Sequence, residues 1–162
     1  NVIYILRDPR SVMVSYYKYL LGLGQFRGEI GDLIRDKNYG IKTWTNHLES
    51  WLDGIVPGTC FKIFKYEDFK LNPEHSVRNL AQLIGVNLSD EEFKRVLFKS
   101  NFENMKKLEE DTGSFALKKH DPDFKFIRKG EIAEWKNILN NVDLHYIKGK
   151  ADYLMSRFGY TD

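Results

Sequence analysis

The feature that most constrains the fold is an apolar run that passes directly into a helix start. The run from Val2 to Leu6 is continuous, β-branched and aromatic, which is typical of a strand buried on both faces of a parallel sheet. Asp8 is a favourable helix N-cap, and Pro9 fits the first helical position. Arg7 lies at the junction, at the carboxyl end of the strand. This is where open α/β sheets bind their ligands.

The remainder of the chain combines helical patterns with one more strand, which is predicted over Cys60 to Tyr66. Ser89 and Glu92 have the spacing of a capping box, in which each side chain bonds the other's backbone. Helix starts are predicted at Asp8, Ile41, Asn72, Ser89 and before Leu144. The glycine-rich stretch from Gly22 to Gly31 is predicted to be a loop or a broken segment. The charge-rich run from Lys106 to Lys125 is predicted to be a mobile loop.

Length and composition fit one globular domain. The 162 residues are 42% hydrophobic and 30% charged, and the formal net charge is +2. So small a charge gives no reason to expect nucleic acid as a partner, and no apolar run is long enough to suggest a membrane span. Cys60 is the single cysteine, which fits a reducing compartment, so a cytoplasmic location is expected. Cys60 and the four histidines lack metal-ligand spacing, so no metal site is predicted.

A second constraint lies near the C-terminus, where two adjacent cations precede a glycine. Arg128 offers a planar fork of donors that grips a phosphate with two bonds, and Lys129 adds a compact charge. Gly130 lacks the Cβ that would keep backbone N–H groups away from an anion. The trio therefore indicates an anion site. Taken alone, however, this pattern is more typical of a solvated turn between two elements.

Together the two stretches resemble the cytosolic sulfotransferases, which move a sulfuryl group from 3′-phosphoadenosine 5′-phosphosulfate (PAPS) to a hydroxyl or amine. The family's first motif is a strand ending in arginine with a serine eight positions later, as Arg7 and Ser15 are here. Its second is Arg-Lys-Gly ahead of an acidic residue, Trp and Lys, matched by Arg128 to Gly130, Trp135 and Lys136.

Two further landmarks stand between these motifs in the family's order, at Tyr66 to Asp68 and at Phe102 to Lys106. The resemblance therefore covers essentially the whole chain. It implies a three-layer α/β fold, a parallel sheet flanked by helices as in P-loop nucleotide-binding proteins. Residues 1–162 would be the C-terminal portion of a single sulfotransferase domain that is incomplete at its N-terminus.

The resemblance also implies the binding site for PAPS and for its product 3′-phosphoadenosine 5′-phosphate (PAP). The cofactor-binding residues would be Arg7, Ser15, Tyr66, Ser100, Asn101, Phe102, Met105, Phe126, Ile127, Arg128, Lys129 and Gly130. Of these, Arg7, Ser15 and the trio at 128–130 would hold the 3′-phosphate. The adenosine would be held by Tyr66 and the turn at 100–105. In that turn the family usually has hydroxyl residues, and Asn101 departs from this.

The family's catalytic parts have no counterpart in the chain. Its lysine-bearing 5′-phosphosulfate loop and its catalytic-base histidine precede the strand that starts here at Val2, so both are expected upstream of Asn1. We therefore expect the chain to be the later part of a longer one, with no catalytic residue and no transfer activity in isolation. His47 matches a histidine that lies near the acceptor pocket in the family. The alternative for His47 is a helix histidine at the edge of the core.

The implied partner is a small acceptor such as a phenol, an alcohol, a sterol or an amine, with no metal involved. Dimerisation stays open, because only Lys136 survives from the family's dimer segment. Two rival functions remain. One is a nucleotide-dependent phosphotransferase of the same fold, and the other is a non-catalytic nucleotide-binding remnant.

Overall fold

The computed structural model describes residues 2–113 and 124–161, which form two compact units. The first unit contains residues 2–6, 60–113 and 124–132, and the second contains residues 7–59 and 133–161. In chain order the elements are β1 (Val2–Leu6), α1 (Pro9–Gly22), α2 (Ile30–Arg35), α3 (Ile41–Asp53), β2 (Phe61–Lys65), α4 (Tyr66–Leu71), α5 (Pro73–Leu83), α6 (Asp90–Ser100), α7 (Phe102–Thr112), a 3-10 turn (Glu134–Asn137) and α8 (Asn141–Arg157).

The first unit is built on a parallel pair of strands, as predicted for an α/β fold. β1 pairs with β2 in a register that runs from Val2 opposite Phe61 to Leu6 opposite Lys65. The prediction that β1 is buried on both faces is wrong for the described residues. Leu6 is 1% exposed, but Ile5 is 52% exposed. Because alternate side chains of a strand point to opposite faces, one face of this sheet is covered less than the other.

The predicted capping box is confirmed at the start of α6. The Ser89 hydroxyl accepts the Glu92 N–H at 3.3 Å, and the Glu92 carboxylate accepts the Ser89 N–H at 3.0 Å. The Ser89 hydroxyl also donates to this carboxylate, at 2.8 Å. The bonds from the Ser89 N–H and hydroxyl lower the pKa of Glu92 below its ordinary value. The box satisfies two backbone donors that a helix start otherwise leaves without partners.

The predicted loop from Lys106 to Lys125 is wrong over its first part, because α7 continues to Thr112. The Asn101 side chain caps this helix by accepting the Glu103 N–H at 2.9 Å. The lysines and glutamates of α7 have high helix propensity. This charged run therefore forms a helix, although its composition resembles that of a solvated loop. The rest of the prediction, from residue 114 to residue 123, lies outside the described residues.

The second unit packs α1, α2, α3 and α8 around an aliphatic core. Asp8 caps α1 as predicted, accepting the Arg10 N–H at 2.8 Å. The stretch predicted to be a loop or a broken segment ends inside a helix, because α2 begins at Ile30. Its first turn is closed by a reciprocal pair of bonds between Glu29 and Asp32. The buried core residues are Met13, Val14, Leu20, Leu33, Ile34, Ile41, Leu48, Ile147, Ala151, Leu154 and Met155.

In the described part of the chain, no helix combines the length and the apolar character that are needed to span a membrane.

Candidate functional site

Two of the predicted stretches meet in the first unit, where Gly130 packs against Phe102. Gly130 has a φ of +64°, and a Cβ built on it would lie 2.7 Å from two carbons of the Phe102 ring. A side chain at this position is therefore opposed both by the left-handed backbone and by the ring. The residue predicted to line the phosphate and a residue predicted to contact the adenosine are thus neighbours.

Lys70 lies at the same place and was missed by the sequence analysis. Its Nζ is 4.9 Å from the centre of the Phe102 ring and 3.1 Å from the position of a Cβ on Gly130. A cation at this distance from an aromatic face is attracted by the ring. Lys70 stands four residues after Tyr66 on α4, so the two share a helix face. That spacing was the only signal of Lys70 in the sequence.

The segment that carries the two cations is attached at its start to α7. The Glu109 carboxylate accepts the backbone N–H groups of Phe126 and Ile127 at 2.6 and 2.7 Å. Further along, Arg128 is half-buried. The side chain of Lys129 is 53% exposed, and its Nζ lies 4.0 Å from the nearer Glu131 oxygen. The Lys129 side chain therefore points largely to solvent.

The predicted adenosine turn is the junction between α6 and α7. Ser100 ends α6, and its hydroxyl donates to the carbonyl of Val96 at 2.9 Å. Asn101 caps α7, and Phe102 is the first residue of that helix. Met105 follows Phe102 by three residues, so the two lie on one face. The hydroxyl donor of Ser100 is thus used within its own helix, while its oxygen keeps acceptor capacity.

Three predicted site residues belong to the second unit. Arg7 is half-buried and follows β1 directly, and Ser15 is exposed on α1. His47 is exposed on α3, where its Nε2 accepts the indole N–H of Trp51 at 3.3 Å. The family's Arg-to-Ser motif therefore falls in a different unit from the Arg128–Gly130 segment.

The ligand roles predicted for the site residues stay predictions, and so does the position of the catalytic residues. The family's base and its phosphosulfate lysine are expected upstream of Asn1. Asn1 itself lies outside the described residues, which begin at Val2. The placement of the catalytic residues before Asn1 therefore stays a prediction.

A buried ion pair, also missed by the sequence analysis, fixes the start of α1 in the second unit. The Arg10 guanidinium donates to the Asp8 carboxylate through two nitrogens, from Nε to Oδ1 at 3.0 Å and from Nη2 to Oδ2 at 2.8 Å. The other side of the pair is covered by Trp135, whose ring centre lies 3.9 Å from the Arg10 guanidinium carbon. Lys18 and Glu134 form a second ion pair at 2.7 Å. The tryptophan of the second family motif thus packs on the start of the first.

Residues 2–113 and 124–161 contain no group of three or more histidine, cysteine, aspartate or glutamate side chains that could share a metal ion.

Solved structures share this fold. Mouse sulfotransferase SULT7A1, solved with PAP, matches with a TM-score of 0.74 at 20% identity, over 96% of this chain and 58% of that one. Retinol dehydratase, solved with androsterone and the inactive cofactor PAP, matches with a TM-score of 0.73 at 22% identity, over 94% of this chain and 46% of that one. The sulfotransferase type of α/β fold is therefore confirmed.

Sequence comparison gives the family. Sulfotransferase 2A6 of Mus musculus is 32% identical over 149 residues, which are 85% of this chain and 50% of that protein. The chain spans about half the length of the curated relatives it matches. The family model described as "Sulfotransferase domain" matches residues 1–159. With that match over nearly its whole length, the chain belongs to the sulfotransferase family.

Proposed function

We propose that the protein transfers a sulfuryl group from PAPS to a small acceptor, and that the first unit of this chain contributes to nucleotide binding. The contact between Phe102 and Gly130 carries the proposal. It joins the two stretches that the family resemblance assigns to the adenosine and to the 3′-phosphate. Family membership and the PAP in two neighbouring structures support the same nucleotide.

The chemistry of the Arg128–Gly130 segment fits a terminal phosphate. Such a phosphate carries close to two negative charges at neutral pH. Arg128 offers paired donors for two phosphate oxygens. Because the Lys129 side chain is largely exposed, we assign the binding at this residue chiefly to its backbone N–H. Gly130 leaves its own N–H open to close approach.

The apolar side of the proposed site comes from the starts of two helices. Phe102 and Met105 share a face at the start of α7, and Tyr66 begins α4 at the carboxyl end of β2. We assign to these side chains the contacts with adenine, since its flat rings favour aromatic and thioether surfaces. Lys70, next to Phe102 and Gly130, would add a positive charge near the phosphates.

Once bound, PAPS supplies the activated sulfuryl group, and the residues of this chain bind and orient the nucleotide. Such transfers depend on positioning and charge stabilisation, by analogy with phosphoryl transfer. We propose an acceptor with a hydroxyl or amine, such as a phenol, an alcohol or a sterol. The neighbouring retinol dehydratase structures contain androsterone and retinol, which are both alcohols. His47 is proposed to line the acceptor pocket, and Arg7 and Ser15 remain proposed phosphate ligands.

Two measurements on the full-length protein test this function. Calorimetry with PAP and with adenosine 5′-phosphate measures how much affinity the 3′-phosphate adds, and we expect PAP to bind at least about tenfold more tightly. Transfer from radiolabelled PAPS to a panel of phenols, sterols and amines measures the reaction. Equal affinity for the two nucleotides, together with no transfer to any acceptor, would refute the proposal.

A further inference from the structure

Glu109 is a buried carboxylate with two short bonds to the segment that precedes Arg128. Its residue is 4% exposed, although it lies on α7 among charged residues that face solvent. One oxygen accepts the N–H of Phe126 at 2.6 Å, and the other accepts the N–H of Ile127 at 2.7 Å. Burying a charge is costly unless hydrogen bonds compensate for the lost water. These two bonds therefore indicate a specific role for this carboxylate.

The bonds fix one end of a short stretch whose other end is also fixed on α7. Gly130 is held against Phe102, at the start of the helix. From Phe102 to Glu109 an α-helix rises about 10 Å. Three residues of extended chain, from Ile127 to Gly130, span at most about 10 Å. A stretch this short, anchored at both ends, stays close to α7.

A short stretch held at both ends leaves its middle residues little freedom. In this stretch Arg128 is half-buried, while the Lys129 side chain is 53% exposed. The anchors thus help to keep the two cations in different surroundings.

We propose that Glu109 is a positioning residue for nucleotide binding, which sets the backbone of the Arg128–Gly130 segment before the 3′-phosphate arrives. The inference rests on the proposed function. A segment that is already ordered binds more tightly, because the cost of ordering it has been met in folding. Glu109 acts through the backbone of Phe126 and Ile127 and does not touch the phosphate.

The carboxylate is required because it offers an acceptor to each of the two N–H groups. Glutamine has the same shape but only one acceptor oxygen. In Glu109→Gln the amide nitrogen would face a backbone donor, so at least one of the two bonds would be lost. The neighbouring Glu110 provides a matched control, since its side chain is 45% exposed and pairs with Lys125 on the surface. Glu110→Gln makes the same chemical change without touching the anchor.

The first test is amide hydrogen exchange on the full-length protein, read on the peptide that contains Phe126 and Ile127. We expect Glu109→Gln to speed exchange in this peptide and to leave the helices of the second unit unchanged. The second test is calorimetry. Glu109→Gln should weaken PAP binding about tenfold and change adenosine 5′-phosphate binding little, which is the effect of losing one charge-assisted bond. Glu110→Gln should leave the affinity for both nucleotides unchanged.

The outcomes separate this inference from the proposed function. Wild-type protein that binds both nucleotides equally would refute the nucleotide site and the role of Glu109 in it. Wild-type preference for PAP that Glu109→Gln leaves intact would overturn the inference alone, as would equal losses for both nucleotides. Should Glu109→Gln fail to fold, Glu109→Asp retains the charge on a shorter side chain. In Glu109→Asp, a partial loss of the preference for PAP over adenosine 5′-phosphate would then support the inference, and full retention of that preference would overturn it.

Discussion

Arg10 and Arg128 belong to the two basic motifs of this chain, and the structure uses them in opposite ways. Arg10 is 5% exposed, it bonds both carboxylate oxygens of Asp8 through Nε and Nη2, and the Trp135 ring covers it. Arg128 is half-buried beside the exposed Lys129, on a segment whose backbone is anchored by Glu109. In the first motif the charges are fixed to each other and buried. In the second, the backbone is anchored and the charged side chains stay partly exposed.

The difference shows what burial does to a charged residue. A charge removed from water must be matched by a partner of the same protein, and it then becomes part of the fold. A charge left partly in water keeps part of its hydration, which a ligand can replace. We therefore expect the loss of Arg10 to lower chiefly the stability and the loss of Arg128 to lower chiefly the affinity for the nucleotide.

The largest effect is expected from Arg10→Ala. The substitution leaves the Asp8 carboxylate buried without its bidentate partner and removes the cation from the Trp135 ring. Breaking a buried pair by removing one member costs about 3–5 kcal/mol, so the free energy of unfolding should fall by that amount in urea denaturation. Arg27→Ala is the control, because Arg27 is exposed in the same unit. Equal stability of the two variants would show that the buried pair is not part of the fold.

Gly130→Ala tests the anchored backbone of the second motif. The left-handed φ of +64° costs alanine about 1–2 kcal/mol, and the crowded Phe102 ring would have to move as well. Gly85→Ala is the control, because Gly85 has a φ of +73° and nothing within 4 Å of an added Cβ. Both variants should lose stability in urea denaturation, with the greater loss at Gly130. Equal losses would show that the ring contact adds nothing.

Arg128→Ala is expected to change affinity more than stability. The variant should bind PAP about tenfold to a hundredfold more weakly, while its affinity for adenosine 5′-phosphate should scarcely change. Lys129→Ala should lose less, since the Lys129 side chain is largely in solvent. Calorimetry on the full-length variants measures both nucleotides. An arginine that only maintains the fold would give equal losses for the two nucleotides and a lower free energy of unfolding.

The sequence predicted local features well and tertiary contacts poorly. The strand at Val2–Leu6, the Asp8 cap and the Ser89–Glu92 box each depend on residues within a few positions, and all are confirmed. The partnership of Glu109 with Phe126 and Ile127 joins residues 17 and 18 positions apart. No periodicity or cap signal marks such a pair. For this reason the charge-rich run that contains Glu109 was predicted to be a loop.

Lys70 illustrates the same limit within the candidate site. Its sequence neighbours give it the pattern of an ordinary surface lysine near the end of a short helix. Only the fold brings Phe102 and Gly130 to it from two distant stretches. The family motifs located Phe102 and Gly130 in the sequence, but they give no distances between residues. A residue outside the motifs, such as Lys70, is found only from its contacts in the structure.

The smallest effect is expected from the surface pair of Glu110 and Lys125, which are bonded at 2.8 Å with side chains 45% and 50% exposed. The bond from Lys125 lowers the pKa of Glu110 from its ordinary 4.5, the direction expected when a hydrogen bond favours the charged form. The stability from this pair is therefore present above pH 4.5 and is lost as the pH falls through the lowered value. Lys125→Ala should make urea unfolding less dependent on pH in that acidic range and should scarcely change stability at pH 7. Salt screens solvent-exposed pairs, and at 1 M the screening length is only about 3 Å. In 1 M salt the difference in stability between Lys125→Ala and wild type should therefore disappear, whereas the loss of stability in Arg10→Ala should persist. A loss in Arg10→Ala that salt removed equally would place both pairs in the same class and end the distinction between the two motifs.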